Sequence, residues 1–290
     1  NYMPELPEVE VVKKSLENKI KNLIIKKVII TNNKLRYRIN RKEFHKLQGN
    51  KIKSISRRSK YLFINLNTGL SLLIHLGMTG KFFIIDKKKQ KYKTSFYYNI
   101  INHNLKHDHI NFYLTKKVKL IYNDVRKFGF IKIIKTSEIN TNKHIKLLGP
   151  EPLSNIFNKN YFNKAIINKK KSIKDLLIDQ KFVSGIGNIY CNEILYLSRI
   201  NPSRGIKNIT KKETNKILFY TKKILKKSIE KGGSSIKDFN SADGKTGGFQ
   251  QLFNVYAREG KGCKTKNCSE IIKKTYISNR SSFFCLKCQK

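Results

Sequence analysis

The beginning of the chain has apolar residues at helical spacing. They recur every three or four positions, as Val9, Val12, Leu16 and Ile20. This spacing is typical of the buried face of an amphipathic helix. Pro7 is tolerated in a first helical turn, and Glu8 is favourable near the positive end of the helix dipole. The pattern therefore predicts an opening helix.

From residue 23 to about 134 the pattern changes to short runs rich in Ile, Phe, Tyr and Leu. The runs lie at 26–31, 61–66, 70–75, 81–86, 109–114, 117–122 and 130–134. Turn signals such as Asn67-Thr68-Gly69 separate them. Short strands at this spacing predict an antiparallel sandwich or barrel. The stretch 87–106 is polar and lysine-rich, and we expect a mobile loop there.

The second half of the chain has helical periodicity. A boundary is predicted at Gly149-Pro150-Glu151-Pro152, because proline restricts its own backbone and that of the residue before it. Helices are predicted at 161–168, 173–179, 189–197 and 211–231, followed by a glycine-rich polar segment at 234–260. With 290 residues, the chain is long enough for about two domains.

The net charge of the chain gives weak evidence about its binding partner. The chain has 62 Lys and Arg against 19 Asp and Glu, a formal net charge of +43. Basic proteins bind polyanions, most often nucleic acids, because counterions are released from the phosphates. Lys, Asn and Ile also accumulate when a genome is AT-rich, so the charge alone supports this partner only weakly. No apolar run reaches about 18 residues and the start does not resemble a secretory signal, so we expect no membrane association.

Four of the five cysteines lie in the last 28 residues. Four, sixteen and two residues separate them in the order Cys263, Cys268, Cys285 and Cys288. Two close pairs around a hairpin-length insert can place four thiolates tetrahedrally around zinc, and disulfides are the alternative. Because all four positions would be filled, we predict one structural Zn²⁺ rather than a catalytic one. The isolated Cys191 is expected in the core.

The residues at 3–5 suggest a nucleophile. If translation starts at Met3 and the methionine is removed, Pro4 carries a free secondary amine. Such groups titrate at about 7.7–8.0, so a useful fraction is unprotonated at neutral pH. The amine can attack the anomeric carbon of a sugar and form an iminium, with Glu5 as general acid or base. Alternatively, the two prolines merely start a helix.

Seven separated motifs, together with the cysteines, resemble one known family. They are Pro-Glu-Leu-Pro-Glu-Val-Glu at 4–10, Arg-Arg-Ser-Lys-Tyr-Leu at 57–62, His-Leu-Gly-Met-Thr-Gly at 75–80, His-Asp-His at 107–109, Asp-Val-Arg-Lys-Phe-Gly at 124–129, Leu-Gly-Pro-Glu-Pro-Leu at 148–153 and Gly-Ile-Gly-Asn-Ile-Tyr at 185–190. From residue 3 to residue 290 the chain resembles the formamidopyrimidine-DNA glycosylases. The resemblance departs at Val125 and Lys127, where the family usually has proline and arginine, and in the first cysteine pair, which usually has two intervening residues.

The resemblance implies an α+β fold with three parts. It implies an N-terminal helix with an antiparallel β-sandwich as the catalytic domain over residues 1–136, and a linker over 137–153. A helical helix–two-turns–helix DNA-binding domain with a lesion-capping loop follows over 154–254. A zinc-bearing β-hairpin is expected over 255–290.

Four residues match the catalytic residues of the family. Pro4 matches the nucleophile that displaces the damaged base and forms a Schiff base with the sugar, and Glu5 matches the carboxylate that assists ring opening and proton transfers. Lys60 matches the lysine that contacts the lesion's phosphate and donates a proton in β-elimination. Arg280 matches the arginine that grips phosphates and is linked to δ-elimination.

Three further residues match side chains that the family inserts into the duplex. They are Met78, Arg126 and Phe128. A glycosylase must take its target base out of the stack, and apolar side chains with one cation can fill the gap. The alternative is that Met78 and Phe128 are core residues and that Arg126 pairs with Asp124.

The remaining matches concern the DNA backbone and the everted base. His107, Lys170 and Asn188 match DNA-backbone contacts, with Lys171 as an alternative to Lys170 because the lysine run leaves the register open. Glycines before Asn188 let a backbone approach closely, and a helix start attracts phosphate. The segment 237–256 matches the loop that folds over the everted base.

These observations predict a bifunctional DNA glycosylase and AP lyase that removes oxidised purines in base-excision repair. Its partner would be double-stranded DNA, and we expect a monomer in the bacterial cytoplasm, associated with the nucleoid. One alternative is an endonuclease VIII-like glycosylase for oxidised pyrimidines. The other is a catalytically silent DNA-binding zinc protein, if Asn1-Tyr2 remain and Pro4 is not the mature N-terminus.

Overall fold

The computed structural model describes residues 3–98, 100, 103–167, 169–237 and 253–290, without the side chains of 233–237. Asn1-Tyr2 and most of the expected capping loop therefore lie outside the described residues. The chain forms two units. The first comprises the residues up to 146 and the end of the last helix from 229, and the second comprises residues 147–228 and those from 253.

Strands of the first unit pair into two antiparallel sheets. They are β1 (Ile25–Ile30), β2 (Ile52–Arg58), β3 (Tyr61–Leu66), β4 (Leu70–His75), β5 (Gly80–Ile85), β6 (Lys91–Lys93), β7 (Asp108–Leu114), β8 (Lys119–Asp124) and β9 (Phe130–Lys135). One sheet has the order β1-β7-β8-β5-β6 and the other β2-β3-β4-β9. Both contribute apolar side chains to one buried cluster, which confirms the predicted antiparallel sandwich.

The predicted opening helix is present as α1 (Leu6–Ile20). Its four apolar residues are at most 1 % exposed and belong to the sandwich core. Glu5 precedes the first turn, and its backbone N–H donates to Oε2 of Glu8 at 2.9 Å. Helix α1 packs against β2 and β3, so its beginning lies beside this sheet.

The expectation of a mobile loop over 87–106 is wrong for residues 91–93, and residues 94–98 form a loop that hydrogen bonds hold in place. Lys91–Lys93 form β6 beside β5, and Thr94 and Ser95 are fully buried. The hydroxyls of Thr94 and Tyr98 donate to the carbonyl of Phe82, which fixes this segment over the sheet. The surrounding lysines make the stretch polar on average, so its sequence did not reveal the aromatic residues that anchor it. A short helix, α2 (Arg41–His45), was also not predicted.

The second unit is helical and ends in a hairpin. Its helices are α3 (Lys159–Ile166), α4 (Ile173–Ile178), α5 (Asn188–Ser198) and the first part of α6 (Lys211–Lys237). The hairpin consists of β10 (Lys273–Ile277) and β11 (Arg280–Phe284). Buried α5 contacts both α4 and β11. None of the described helices has the length and apolar character needed to cross a bilayer.

Candidate active site and nucleic-acid interface

The candidate nucleophile and its neighbouring carboxylate lie at the head of α1. Pro4 is buried, and Glu5 is 2 % exposed. The helix begins directly after them because Pro7 suits its first turn and the Glu8 carboxylate satisfies a backbone N–H that has no partner within the helix. A carboxyl group is thus held in a dry environment directly beside Pro4.

Lys60 lies in the turn between the two strands that contact α1. Ser59 has a φ of 57° in this two-residue connection, and Lys60 is only 7 % exposed. Arg57 Nε contacts Glu10 Oε2 at 2.6 Å, which ties the end of β2 to α1 just before this turn. The fold therefore buries a lysine on the part of the sheet that packs against the helix carrying Glu5.

His75 is a candidate that sequence reasoning did not single out. Burial lowers the pKa of its imidazole to about 4, and the positive charge of Lys60 acts in the same direction. Its Nδ1 accepts a hydrogen bond from the backbone N–H of Gly77 at 3.1 Å. The positive charge near this imidazole comes from Lys60 and Arg36. The signal available in the sequence was the position of His75 at the head of the motif at 75–80.

The three candidate wedge residues lie together, although two separate loops carry them. Arg126 Nη1 is 3.1 Å from Met78 Sδ, and its guanidinium carbon lies 4.5 Å from the centre of the Phe128 ring. Arg126 is exposed and Phe128 is 46 % exposed. An apolar surface capped by a cation therefore faces solvent.

The alternative interpretation of these residues does not match the structure. It required a buried Phe128 and an ion pair between Arg126 and Asp124. Asp124 is fully buried and accepts instead from the Thr79 hydroxyl and the backbone N–H of Gly129. Within the described residues, no ion pair joins Arg126 to Asp124.

His107 ends a short 3₁₀ turn at Leu105–His107 and is half-buried. The next residue, Asp108, accepts from His103 Nε2 at 2.6 Å and from Asn123 Nδ2 at 2.7 Å. These contacts fix the backbone on which His107 is carried. The Asp108 carboxylate therefore stabilises this turn.

Two candidates of the second unit lie close to each other. Asn188 is the first residue of α5, and its Nδ2 donates to the carbonyl of Ser281 at 3.0 Å. Ser281 follows Arg280, which is exposed at the start of β11. The hairpin turn at Ser278 and Asn279 has φ values of 47° and 59°, as a tight turn between antiparallel strands requires. The start of α5 and the candidate arginine thus share one surface.

Lys174 supports this surface and was missed by the sequence analysis. It is fully buried, and its Nζ donates to Ser281 O at 2.8 Å and Ser282 Oγ at 2.6 Å. Burial lowers the pKa of its amine to about 8. In a lysine-rich stretch nothing distinguished this residue from its exposed neighbours.

The surroundings of Lys170 and Lys171, the two candidates for one DNA-backbone contact, differ in the structure. Both are exposed before α4, but Lys171 Nζ lies 3.0 Å from the Asp179 carboxylate, and no ion pair involves Lys170 among the described residues. Lys170 therefore has the more accessible charge for a phosphate.

The end of the expected capping loop is described from Phe253 onward. The fully buried Glu193 on α5 accepts from the backbone N–H groups of Asn254, Val255 and Tyr256 at 2.8–2.9 Å. One carboxylate thus holds three consecutive residues after the loop. Sequence reasoning did not identify Glu193, because it lies within an apolar helix.

The four terminal cysteines form a candidate metal centre. Their sulfur atoms all lie within 4.8 Å of one another. Three separations are 3.8 Å for Cys263–Cys288, 3.7 Å for Cys268–Cys285 and 3.5 Å for Cys268–Cys288. Four sulfurs at about 2.3 Å from a tetrahedral zinc would be about 3.8 Å apart, so the site fits this ion. All are free thiols, and Cys191 is fully buried elsewhere, as expected.

Comparisons with known proteins agree with these features. The family model of the formamidopyrimidine-DNA glycosylase N-terminal domain matches residues 3–131, and that of its H2TH domain matches residues 148–240. A formamidopyrimidine-DNA glycosylase of Rickettsia bellii is 40 % identical over 288 residues, which cover 99 % of this chain and 100 % of the relative.

Solved structures of Lactococcus lactis Fpg are also similar. Its complex with DNA containing an abasic site has a TM-score of 0.82 and 32 % identity, with 99 % of each chain covered. A variant bound to DNA containing Fapy-dG has a TM-score of 0.83 and 32 % identity, with 99 % of this chain and 100 % of that chain covered. The chain therefore belongs to the formamidopyrimidine-DNA glycosylase family.

Proposed function

We propose that this DNA glycosylase is bifunctional and removes oxidised purines, such as 8-oxoguanine and formamidopyrimidines, before cleaving the strand as an AP lyase. The observation that carries the proposal is the Pro4-Glu5 pair, buried at the head of α1, on the scaffold of this family. The relatives that bind DNA with an abasic site or Fapy-dG support the substrate class.

The first step is removal of the lesion from the base stack. Unstacking costs a few kcal/mol, and the enzyme must fill the gap that is left. Met78 and Phe128 offer apolar surface, and Arg126, held over the Phe128 ring, offers a cation for the unpaired partner base or a phosphate. We infer that this group enters the duplex as one wedge.

The second step is attack by the free imino nitrogen of Pro4 on C1′ of the lesion's deoxyribose. The N–C bond forms as the sugar ring opens and the base leaves with the electron pair of its glycosidic bond. Glu5, the buried carboxyl group directly beside Pro4, is proposed to assist ring opening by moving protons. The product is an iminium that joins Pro4 to the sugar.

Strand cleavage follows from this iminium. It acidifies the C2′ proton, whose loss expels the 3′ phosphate in β-elimination, and a second elimination expels the 5′ phosphate. Lys60, a buried cation on the sheet beside α1, is proposed to contact the lesion's phosphate and donate a proton in the first elimination. Arg280, exposed at the hairpin turn, is proposed to grip phosphate in the second.

The DNA backbone is proposed to contact both units. Asn188 lies at a helix N-terminus, where backbone N–H groups and the helix dipole favour phosphate. Lys170 and His107 are proposed to add further phosphate contacts. Most of the +43 charge need not participate, because exposed lysines are found on every part of the chain.

Zinc is proposed to be held by Cys263, Cys268, Cys285 and Cys288. When bound it supplies no chemistry to the reaction, since the four thiolates complete a tetrahedral site. It would stabilise the short β10–β11 hairpin that carries Arg280.

Activity on defined duplexes tests this function. A protein whose coding sequence begins at Met3 should cleave DNA containing 8-oxoguanine opposite cytosine and leave a gap with phosphates at both ends. The matched control retains Asn1-Tyr2-Met3, so Met3 stays bonded to the nitrogen of Pro4 as an amide. It should bind the duplex and cleave nothing.

Two outcomes would overturn the proposal. Equal cleavage by both proteins would remove Pro4 from its role, and binding without cleavage by either would favour the silent DNA-binding protein. A parallel duplex with thymine glycol tests the oxidised-pyrimidine alternative. Leu6 in the opening motif and the complete Met78, Arg126 and Phe128 set favour the purine, so we expect faster cleavage of 8-oxoguanine.

A further inference from the structure

The wedge residues sit on two loops whose backbones touch. The Met78 loop (residues 76–79) joins β4 to β5, and the Arg126 loop (residues 125–129) joins β8 to β9. At Gly77, which has a φ of 62°, an added Cβ would lie 2.5 Å from the nitrogen of Gly129 and 2.6 Å from the carbonyl carbon of Phe128. The two loops can therefore move only together.

A single carboxylate bonds to both loops. Asp124, the fully buried last residue of β8, accepts from the Thr79 hydroxyl at 2.5 Å through Oδ1. Its Oδ2 accepts from the backbone N–H of Gly129 at 2.8 Å. The Thr79 hydroxyl oxygen in turn accepts from the backbone N–H of Arg126 at 2.9 Å. A continuous chain of hydrogen bonds thus runs from Gly129 through Asp124 and Thr79 to Arg126.

The carboxylate is itself held in place. The Tyr122 hydroxyl donates to Asp124 Oδ2 at 3.3 Å, and burial, together with the Asp124 charge, raises the pKa of this tyrosine well above its ordinary value. The buried His109 contacts the carbonyl of Asp124 through Nε2 at 2.7 Å. Side chain and backbone of Asp124 are both fixed by neighbours on the sheet.

We propose that Asp124 and Thr79 form a positioning clamp that sets the wedge for base eversion and takes no part in the bond-breaking steps. The inference rests on the proposed function. Outside this clamp, the wedge side chains are aligned by an arginine–thioether contact and an arginine–ring contact at the surface. Such contacts are weak in water, so we infer that the chain of hydrogen bonds anchored on the fully buried Asp124 supplies the alignment.

If the clamp sets the wedge, substitutions in it should slow excision of 8-oxoguanine but not cleavage at a preformed abasic site. Thr79→Val keeps the side-chain shape but removes both the donor to Asp124 and the acceptor for Arg126. In single-turnover experiments we expect excision of 8-oxoguanine from duplex DNA to slow about tenfold, since the two lost hydrogen bonds together are worth roughly this factor. Cleavage of the same duplex with a preformed abasic site, which has no base to unstack, should change less than about twofold.

Two variants and a control complete the experiment. Thr79→Ser restores the hydroxyl and should restore excision, whereas Asp124→Asn, which replaces one accepting oxygen by an amide donor, should reproduce the selective loss. Thr141→Val, at an exposed threonine of the same unit, should change neither substrate. If Thr79→Val slows both substrates equally, or neither, the clamp is wrong.

A direct readout of eversion separates this proposal from the proposed function. A 2-aminopurine beside the lesion brightens when the stack opens, and no chemistry is needed to observe it. Thr79→Val should lower the rate of brightening about tenfold relative to the wild type. A wild type that cleaves neither substrate but opens the stack about tenfold faster than Thr79→Val would overturn the function and support the clamp. Equal opening rates in a cleaving wild type and in Thr79→Val would overturn the clamp alone.

Discussion

At the scale of single residues, burial decides which groups near the candidate active site carry charge. His75 lies among aromatic rings of the sheet, with Phe130 stacked at 5.8 Å and Tyr61 at 5.0 Å between ring centres. Burial, helped by Lys60, lowers its pKa to about 4. In the unfolded chain a histidine titrates at about 6.5. The folded protein therefore holds a neutral imidazole that the unfolded chain protonates at mildly acidic pH.

This difference predicts a pH-dependent stability. His75 contributes fully above about pH 6.5, and its contribution is lost as the pH falls towards 4, because the unfolded chain then binds the additional proton. Relative to His75→Gln, the wild type should lose about 2–3 kcal/mol of unfolding free energy between pH 7 and pH 4. Urea unfolding of both proteins across this range measures it. A difference that does not change with pH would contradict the lowered pKa.

The motifs were sufficient to identify candidate site residues, but they did not show which residues contact one another. Met78 and Arg126 are 48 positions apart, and the pairings of β5 with β8 and of β4 with β9 bring their loops together. Buried polar residues such as Lys174 and Glu193 carried no signal, because lysine is abundant in this chain and Glu193 lies in an apolar helix. Their roles follow from hydrogen bonds that only the fold creates.

At the scale of elements, the packing of the Arg126 loop against the sheet depends on glycine. An added Cβ at Gly129 would overlap the hydroxyl of Tyr122 and lie 2.8 Å from the carbonyl of His75. At Gly205, which has a φ of −65°, the same atom meets nothing within 4 Å. The two positions form a matched pair for substitution.

Gly129→Ala should therefore destabilise the protein by about 2 kcal/mol, as overpacking in a filled interior does. Gly205→Ala should be neutral or stabilise by about 0.5 kcal/mol, since alanine restricts the unfolded chain. Thermal unfolding compares the variants. Similar melting temperatures for both would show that Gly129 is not packed against Tyr122 and His75 as described.

The zinc hairpin makes a second prediction at this scale. Cys268→Ser removes one of four thiolates, so bound zinc should fall well below one per chain and the hairpin should lose its fold, because zinc supplies about 10–16 kcal/mol to such small modules. Cys191→Ser, in the core and away from the four thiolates, should retain one zinc. A chromogenic chelator measures the metal after denaturation. Full zinc in Cys268→Ser, or none in Cys191→Ser, would contradict the assignment.

Strong hydrophobic patterns were sufficient to predict most strands and helices. The strand at 52–58 has the sequence Ile-Lys-Ser-Ile-Ser-Arg-Arg and only two apolar residues, so its pairing with β3 decides its structure. The edge strand at Lys91–Lys93 has a single aromatic residue between two lysines. In both cases neighbouring strands override a weak local preference.

At the scale of the whole molecule, the charge of +43 leaves open which lysines bind DNA. Lys170 is exposed, whereas Lys171 is paired with Asp179. Lys170→Ala should weaken DNA binding to a similar extent for all DNA sequences. The plot of the log of the DNA association constant against the log of salt concentration should become less steep by about 1. Lys171→Ala should leave this slope unchanged. Titrations at several salt concentrations decide, and equal effects of the two substitutions would contradict the assignment.

The architecture as a whole was predicted by combining patterning with the family resemblance. Strand-rich and helix-rich halves indicated two units, but the return of α6 from residue 229 into the first unit left no trace in the sequence pattern. It depends on Gly232, where an added Cβ would collide with the ring of Phe96. The domain limits at residues 136, 153 and 254 stay predictions.

The central claim is that the imino nitrogen of Pro4 becomes bonded to the sugar of the lesion. Borohydride reduction during the reaction with an 8-oxoguanine duplex should trap this intermediate, and digestion of the adduct by nuclease and trypsin allows it to be mapped by mass spectrometry. We predict the sugar remnant on the nitrogen of Pro4, in the peptide that ends at Lys13. A remnant on the side chain of Lys60 or any other lysine would contradict the account.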